Sequence, residues 1–265
     1  AGDALTDADY NTAVGKSALS ADTLGSGSTA IGYAALNSQN FTTATNSVNT
    51  AVGQYAGAAV TVGIANTAIG ALALDAATVN NRNTAVGWSA LSTFNNASTA
   101  TSDNTAIGAA AGINVTEALY STFVGALSGD STTTGNYNTF LGYNTGDSNV
   151  DGGQNVIVGG LSNTAATDGD YANGLGHSLN CVAGYTTLGK VNDDIRAAHG
   201  NVTWATVSDE RFKKDIVDST AGLSFINALK PRTFKYKNLG ELPETFRAYK
   251  ADSTDVFKNS NTNHG

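Results

Sequence analysis

Ser208 and Lys213 stand five residues apart. A serine hydroxyl becomes a nucleophile when a base takes its proton, and a desolvated lysine with a lowered pKa can be that base. The plain alternative is that Ser208 caps a helix and Lys213 is a solvated charge; spacing alone favours this alternative. No ordinary enzyme site is visible elsewhere. His177, His199 and His264 are scattered, without the spacing of a metal site, so neither metal ligands nor a cofactor are expected. His177 directly follows a repeated glycine and reads as an exposed surface residue. Gly174-x-Gly176 lacks the helix and acidic partner of a nucleotide loop. Asp147, Asp151, Asp168 and Asp170 lie near glycines, where carboxylates can bind calcium, but no ligand pattern repeats and solvated turns are the preferred reading. Asp75, Asp103 and Glu117 fall far apart in the repeat frame, which argues against the paired carboxylates of a polysaccharide hydrolase. Tyr33, Trp88 and Tyr143 could stack on a sugar ring; the preferred reading is that they cover thin spots between coils or between chains.

These residues sit in a chain of two chemistries. The 265 residues carry a net charge of -8, 30 Gly, 2 Pro, 1 Cys and no Met. Residues 1–190 contain 3 basic and 12 acidic side chains, a net of 3 - 12 = -9, whereas residues 191–265 contain 11 basic and 10 acidic, a net of +1. Of the glycines, 26 lie before residue 191, and both prolines, Pro231 and Pro243, lie after it. Such a shift places a domain boundary near 190. An acidic chain is a poor partner for nucleic acid or an anionic membrane. No stretch approaches the roughly 20 apolar residues of a membrane-spanning helix. No segment resembles a secretory leader. A chain starting at Ala1 reads as a fragment or a processed product. The lone Cys181 excludes a disulfide scaffold and reads as a small buried or neck residue.

The first segment repeats. The pattern Asn/Ser-Thr-Ala-(Val/Ile)-Gly ends on Gly15, Gly32, Gly53, Gly70, Gly87, Gly108, Gly125, Gly142, Gly159, Gly176 and Gly189. Successive spacings are 17, 21, 17, 17, 21, 17, 17, 17, 17 and 13. A near-constant period of this length signals stacked coils. The residue before the glycine is always Val, Ile or Leu, and the run Thr-Ala-Val reads as a short strand. The glycine marks a corner, and three residues later comes a small side chain such as Ala18, Ala35 or Ala56. Each coil is therefore expected to hold two short strands and two turns. One coil cannot bury its own apolar residues, so the rod has a thin core, and small Ala and Gly would let several chains approach closely around an axis.

The repeat Asn-Thr-Ala-Val-Gly-x-x-Ala-Leu, at 11–19 and 83–91, resembles the repeats of phage tail fibres and the heads of trimeric autotransporter adhesins. That resemblance covers roughly residues 10–190 and implies an all-β, homotrimeric β-roll or β-helix rod. The run Ser208-Asp209-Glu210-Arg211-Phe212-Lys213-Lys214-Asp215-Ile216 resembles the opening of the S74 intramolecular chaperone and autopeptidase domain of phage tailspikes and fibres. Leu223-x-x-Ile226-x-x-Leu229 has helical spacing ending before Pro231, and Arg232–Tyr236 alternates like a strand, in the order of that family.

The resemblance assigns Ser208 as nucleophile and Lys213 as base, with Val207–Ser208 as the scissile bond, and with the whole motif this reading is preferred to the capping one. It divides the chain into a rod over 1–190, a neck or linker over 191–207, and the first part of a small α+β chaperone domain over 208–265. The function it implies is structural: a distal fibre of the virion, trimerised by its chaperone, contacting other tail or baseplate proteins and a host surface glycan or protein receptor. No enzyme activity is expected beyond one self-cleavage. The competing reading is a bacterial trimeric surface adhesin; the chaperone-like motif and the absence of sustained heptads in 191–265 count against it.

Overall fold

The computed structural model describes residues 1–97, 101–191, 193–200, 205–206, 238–241, 244 and 249–255. Seventeen short strands follow one another: β1 (Thr12–Val14), β2 (Gly25–Ser26), β3 (Thr29–Ile31), β4 (Thr45–Asn46), β5 (Thr50–Val52), β6 (Thr67–Ile69), β7 (Thr84–Val86), β8 (Thr105–Ile107), β9 (Thr122–Val124), β10 (Thr139–Leu141), β11 (Val156–Val158), β12 (Asn163–Thr164), β13 (Asn173–His177), β14 (Asn180–Cys181), β15 (Tyr185–Lys190), β16 (Asp193–Ala198) and β17 (Ala205–Thr206). No α-helix occurs among the described residues. The chain forms two compact units, 1–208 and 209–265.

The first unit is a repetitive β-solenoid. Its Thr-Ala-Val strands stack in parallel and strictly in register, Thr on Thr and Ala on Ala, in the order β1-β3-β5-β6-β7-β8-β9-β10-β11-β13-β15. At ~4.8 Å per strand the ten steps make a ladder about 48 Å long. The predicted all-β repeat rod is thus the observed fold. Register follows from the repeat itself: every coil presents the same residue type at the same height, so a slip of one residue would turn the buried Ala outward.

The second side of each coil departs from expectation. Among the described residues most coils hold one strand, not two, and the further ladders are the short pairs β2·β4 and β12·β14. The reason lies in the backbone. Two and four residues after the glycine, φ is positive, as at Ser17 and Leu19 (59° and 50°) or Ser89 and Leu91 (52° and 50°). Left-handed residues alternating with right-handed ones cannot extend into a strand. They still bind both neighbours: Leu72 N donates back to Gln54 O at 2.9 Å, and Leu74 N donates forward to Ala90 O at 2.9 Å. Alternate residues on this side therefore bond across coils without β geometry, while the residue between them, such as Ala73, bonds back to the corner glycine of its own coil.

The corner glycines form a column of close backbone approach. Gly53 has φ of +142°, and a Cβ built there would meet the carbonyl oxygen of Gly70 at 2.5 Å. Both the dihedral and the space exclude a side chain.

Inside each coil, the strand alanines Ala30, Ala51, Ala68, Ala85 and Ala106 are fully buried or nearly so. They pack on the second small column, Ala35, Ala56, Ala73, Ala90 and Ala111. These alanines thus fill each coil's own core. Beyond residue 120 the core grows by substitution: Phe123, Phe140 and Ile157 replace Ala in the strand. Room comes from Gly129 and Gly146, which stand where Leu19, Leu74 and Leu91 stand in other coils; a Cβ at either glycine would run into the Phe ring.

The solenoid ends in a cap. β15 and β16 pair antiparallel over six residues, Tyr185 opposite Ala198 through Lys190 opposite Asp193, and β17 adds a further antiparallel strand. Reversing the chain closes the last parallel edge. In the second unit, Leu239–Glu241 forms one 3-10 turn whose Leu239 N donates to Asp255 O at 2.8 Å.

Candidate functional site

Ser208 and Lys213, and the Val207–Ser208 bond, lie outside the described residues, as do His264 and the helix and strand expected over 223–236. The described chemistry-bearing side chains belong to the solenoid.

The histidines are separate. His177 Nδ1 lies 2.9 Å from Ser178 Oγ at the surface, and His199 Nε2 lies 3.2 Å from Asn173 Nδ2 and 3.3 Å from Thr186 Oγ1. Among the described residues no group of three His, Cys, Asp or Glu could hold a metal ion. No helix there is long and apolar enough to cross a membrane.

Several carboxylates are tied into the coil walls. Buried Asp22 accepts Gln39 Nε2 at 2.6 Å and the backbone N–H groups of Gly25 and Phe41 at 3.1 Å. Asp103 takes the guanidinium of Arg82 from the preceding coil at 2.6 and 2.9 Å, which holds its carboxyl below the usual range. Asp170 Oδ1 accepts Gly153 N at 2.6 Å. Asp130 differs: burial, then the charge and hydrogen bond of Asp147 one coil along, push its carboxyl up to about 6. Cys181 is a fully buried core residue, and burial raises its thiol to about 11.

The aromatic residues that directly follow a repeated glycine, Tyr33, Trp88 and Tyr143, lie at the surface. Trp88 and Tyr143 are both 57% exposed. Tyr33 meets the edge of Tyr55 from the next coil at 5.2 Å and 86°, so it covers the step between coils. A second aromatic corner holds Tyr120 stacked on Tyr137 at 5.0 Å and 13°. Both tyrosines have positive φ, at 57° and 60°. The signal that could have found them is their common offset of four residues before the strand's Val or Leu.

A larger feature also escaped the sequence. Because a strand alternates its faces, burying Ala turns the preceding Thr and the following Val, Ile or Leu outward. Stacking then lines up the aliphatic residues as one row running the length of the ladder. Ile31, Ile107 and Leu141 in it stay 38–44% exposed, although neighbouring rungs cover them above and below.

Residues 208–253 match the Peptidase S74 family model, described as chaperone of endosialidase. No curated protein and no solved structure matches the chain. The matched segment begins on Ser208, the residue that also ends the first compact unit.

Proposed function

We propose that the chain is a structural protein of a phage tail fibre, assembled as a homotrimer with the help of its C-terminal chaperone segment. The observation that carries this reading is the match of 208–253 to the endosialidase chaperone, placed directly after an in-register β-solenoid. A solenoid of this kind has a narrow core and suits a spacer and contact surface. Its place is the virion, its partners other tail or baseplate proteins and a host surface glycan or protein receptor. The adhesin alternative lacks an equivalent of the chaperone segment.

In this reading the chaperone is released by one self-cleavage. Neutral Lys213 takes the proton of Ser208 Oγ, which adds to the Val207 carbonyl carbon. The Val207–Ser208 amide breaks, the serine nitrogen leaves with a proton, and an ester remains. Water hydrolyses that ester, leaving a carboxylate on Val207 and a free amine on Ser208. The test is the native and denatured mass of the intact protein, wild type against Ser208→Ala and Lys213→Ala. A native trimer of shortened chains, intact in both variants, is expected. A trimer of intact wild-type chains retires the catalytic pair; a wild-type monomer retires the fibre reading.

A further inference from the structure

We propose that Tyr137, Gln154 and Tyr171 form a slot that binds one uncharged sugar residue of a glycan. The inference names a site and a ligand class for the proposed host contact, and rests on that reading.

Each coil from Tyr10 to Tyr171 has one left-handed residue four positions before the strand's last aliphatic residue. Glycine, asparagine and aspartate adopt that backbone at least cost, and Gly27 and Asp103 stand there in two coils. Tyrosine is a poor choice for it. Yet four of the chain's ten tyrosines, Tyr10, Tyr120, Tyr137 and Tyr171, occupy this column with φ of 57–60°. Burial does not account for them, since Tyr137 and Tyr171 are 56% and 52% exposed. A bulky ring held on a strained backbone at the surface points to a use for the ring itself.

The order along the column makes a gap. The backbone N–H groups of Tyr137, Gln154 and Tyr171 donate to Leu119 O, Asn136 O and Gly153 O at 3.0, 2.9 and 3.2 Å, so the three residues hold one place on three successive coils. Tyr120 stacks on Tyr137 and closes the step on one side. On the other side the next rung carries Gln154, and Tyr171 follows it. Two rungs at ~4.8 Å set Tyr137 and Tyr171 about 9.6 Å apart. A pyranose gripped between two aromatic faces needs about 4 Å on each side, so the interval takes one sugar ring. The negative faces of the tyrosines attract its C–H groups. Gln154 is exposed, and its amide makes no hydrogen bond among the described residues, so it offers a donor and an acceptor to the sugar hydroxyls.

Charge selects the kind of sugar. Asp151, Asp168 and Asp170 lie within three residues of Gln154 or Tyr171, and all three are exposed. No Lys or Arg occurs between Arg82 and Lys190. Arg82 itself is engaged by Asp103, in the same column, at 2.6 and 2.9 Å. A sialate, a uronate or a phosphorylated sugar would therefore meet carboxylates and no free cation. Neutral hexoses and N-acetylhexosamines carry no such penalty. A slot one ring thick with a single amide offers a peptide no row of backbone partners, which favours a glycan over a protein ligand.

The test applies the intact protein to an array of neutral hexose, N-acetylhexosamine, sialylated and uronate-containing oligosaccharides, with its native mass measured alongside. Wild type is expected to bind neutral members and no anionic ones. Tyr171→Asn suits the left-handed backbone, so it is expected to keep or raise the melting temperature while weakening binding at least tenfold. Gln154→Tyr fills the interval with a further ring and is expected to abolish binding, whereas Tyr171→Phe keeps it. Binding to anionic members alone, or binding unchanged in both Tyr171→Asn and Gln154→Tyr, overturns the slot. A Tyr171→Asn chain that melts earlier than wild type shows that the ring serves stability, which overturns the argument from strain. A native trimer that binds no array member overturns the slot and leaves the fibre with a protein receptor. A native monomer retires the fibre reading, and the array alone then decides the slot.

Discussion

Asn138 Oδ1 accepts the backbone N–H of Asn155, one coil along, at 3.1 Å, while Asn138 Nδ2 donates to Gly152 O at 2.8 Å. The same clip joins Asn49 to Asn66, Asn66 to Asn83, Asn83 to Asn104, and Asn155 to Ala172. Each amide is buried, and each satisfies a backbone donor just before the strand begins. The asparagine of the repeat is therefore a rivet between coils. Asn138→Ala leaves the Asn155 N–H buried without its acceptor, at a cost of about 2 kcal/mol. Asn138→Ser is expected to cost less, because Ser121 Oγ already makes the equivalent bond to Asn138 N at 3.1 Å. Thermal or denaturant unfolding of the two variants checks the order.

Glycine substitutions should separate corner from loop. Gly108 has φ of +139°, and a Cβ there would meet the Gly125 backbone. Gly108→Ala is expected to destabilise by at least about 3 kcal/mol, combining dihedral strain with a backbone clash. Gly184 has φ of +75° and nothing within 4 Å of an added Cβ. Gly184→Ala carries only the left-handed penalty of about 1 kcal/mol. Comparing the two midpoints in denaturant tests the difference.

The core exchanges volume between two positions of one coil. Phe123 is fully buried against Gly129 and the tilted ring of Phe140, 5.8 Å away. Phe123→Ala should cost about 3–5 kcal/mol as a cavity. Adding Gly129→Leu reproduces the pairing of Ala85 with Leu91, so the double variant is expected to recover part of that loss. A double-mutant cycle with no coupling between the sites would refute the exchange.

The Asp130 carboxyl titrates near 6 in the folded chain, above its ordinary value, because burial and the facing Asp147 disfavour its charge. A raised folded pKa means that the folded state holds the proton more tightly. The stabilisation is present in full below the unfolded pKa near 4 and is lost as pH rises through about 6. Asp130→Asn should raise the melting temperature at pH 7 and flatten its decline between pH 4 and 7. An unchanged pH profile would sink this assignment.

Cys181 is fully buried and its thiol is pushed up to about 11. The reactive thiolate is then scarce at pH 8. Labelling by a maleimide should be slow for the native chain and rapid in denaturant, which makes Cys181 an unfolding reporter for the final coil. Fast native labelling would show that this coil opens.

Much of the solenoid was legible because its period is covalent. The glycine spacing set the number of coils and the Thr-Ala-Val runs located the strands. The second strand of each coil was misjudged because Leu19, Ser89 and Leu91 hide a left-handed backbone behind ordinary residue types. The Ser208 motif was legible as a family signature, and residues 208–253 match that family.

What the sequence determined by itself was the recurrence: the coil length, the corner glycines, the one aliphatic per strand, and the division between an acidic rod and a charge-balanced chaperone segment. Each is a property of residue type and spacing along the chain. What only the tertiary structure decided was direction. That Ala30 and not Ile31 faces the core is a matter of packing: Ala30 is fully buried in the same cluster as Ala35 and Leu36, while Ile31 stays 38% exposed. With Ala drawn inward, the strand's two-residue alternation turns every Val, Ile and Leu outward, and stacking in register joins them into one apolar row.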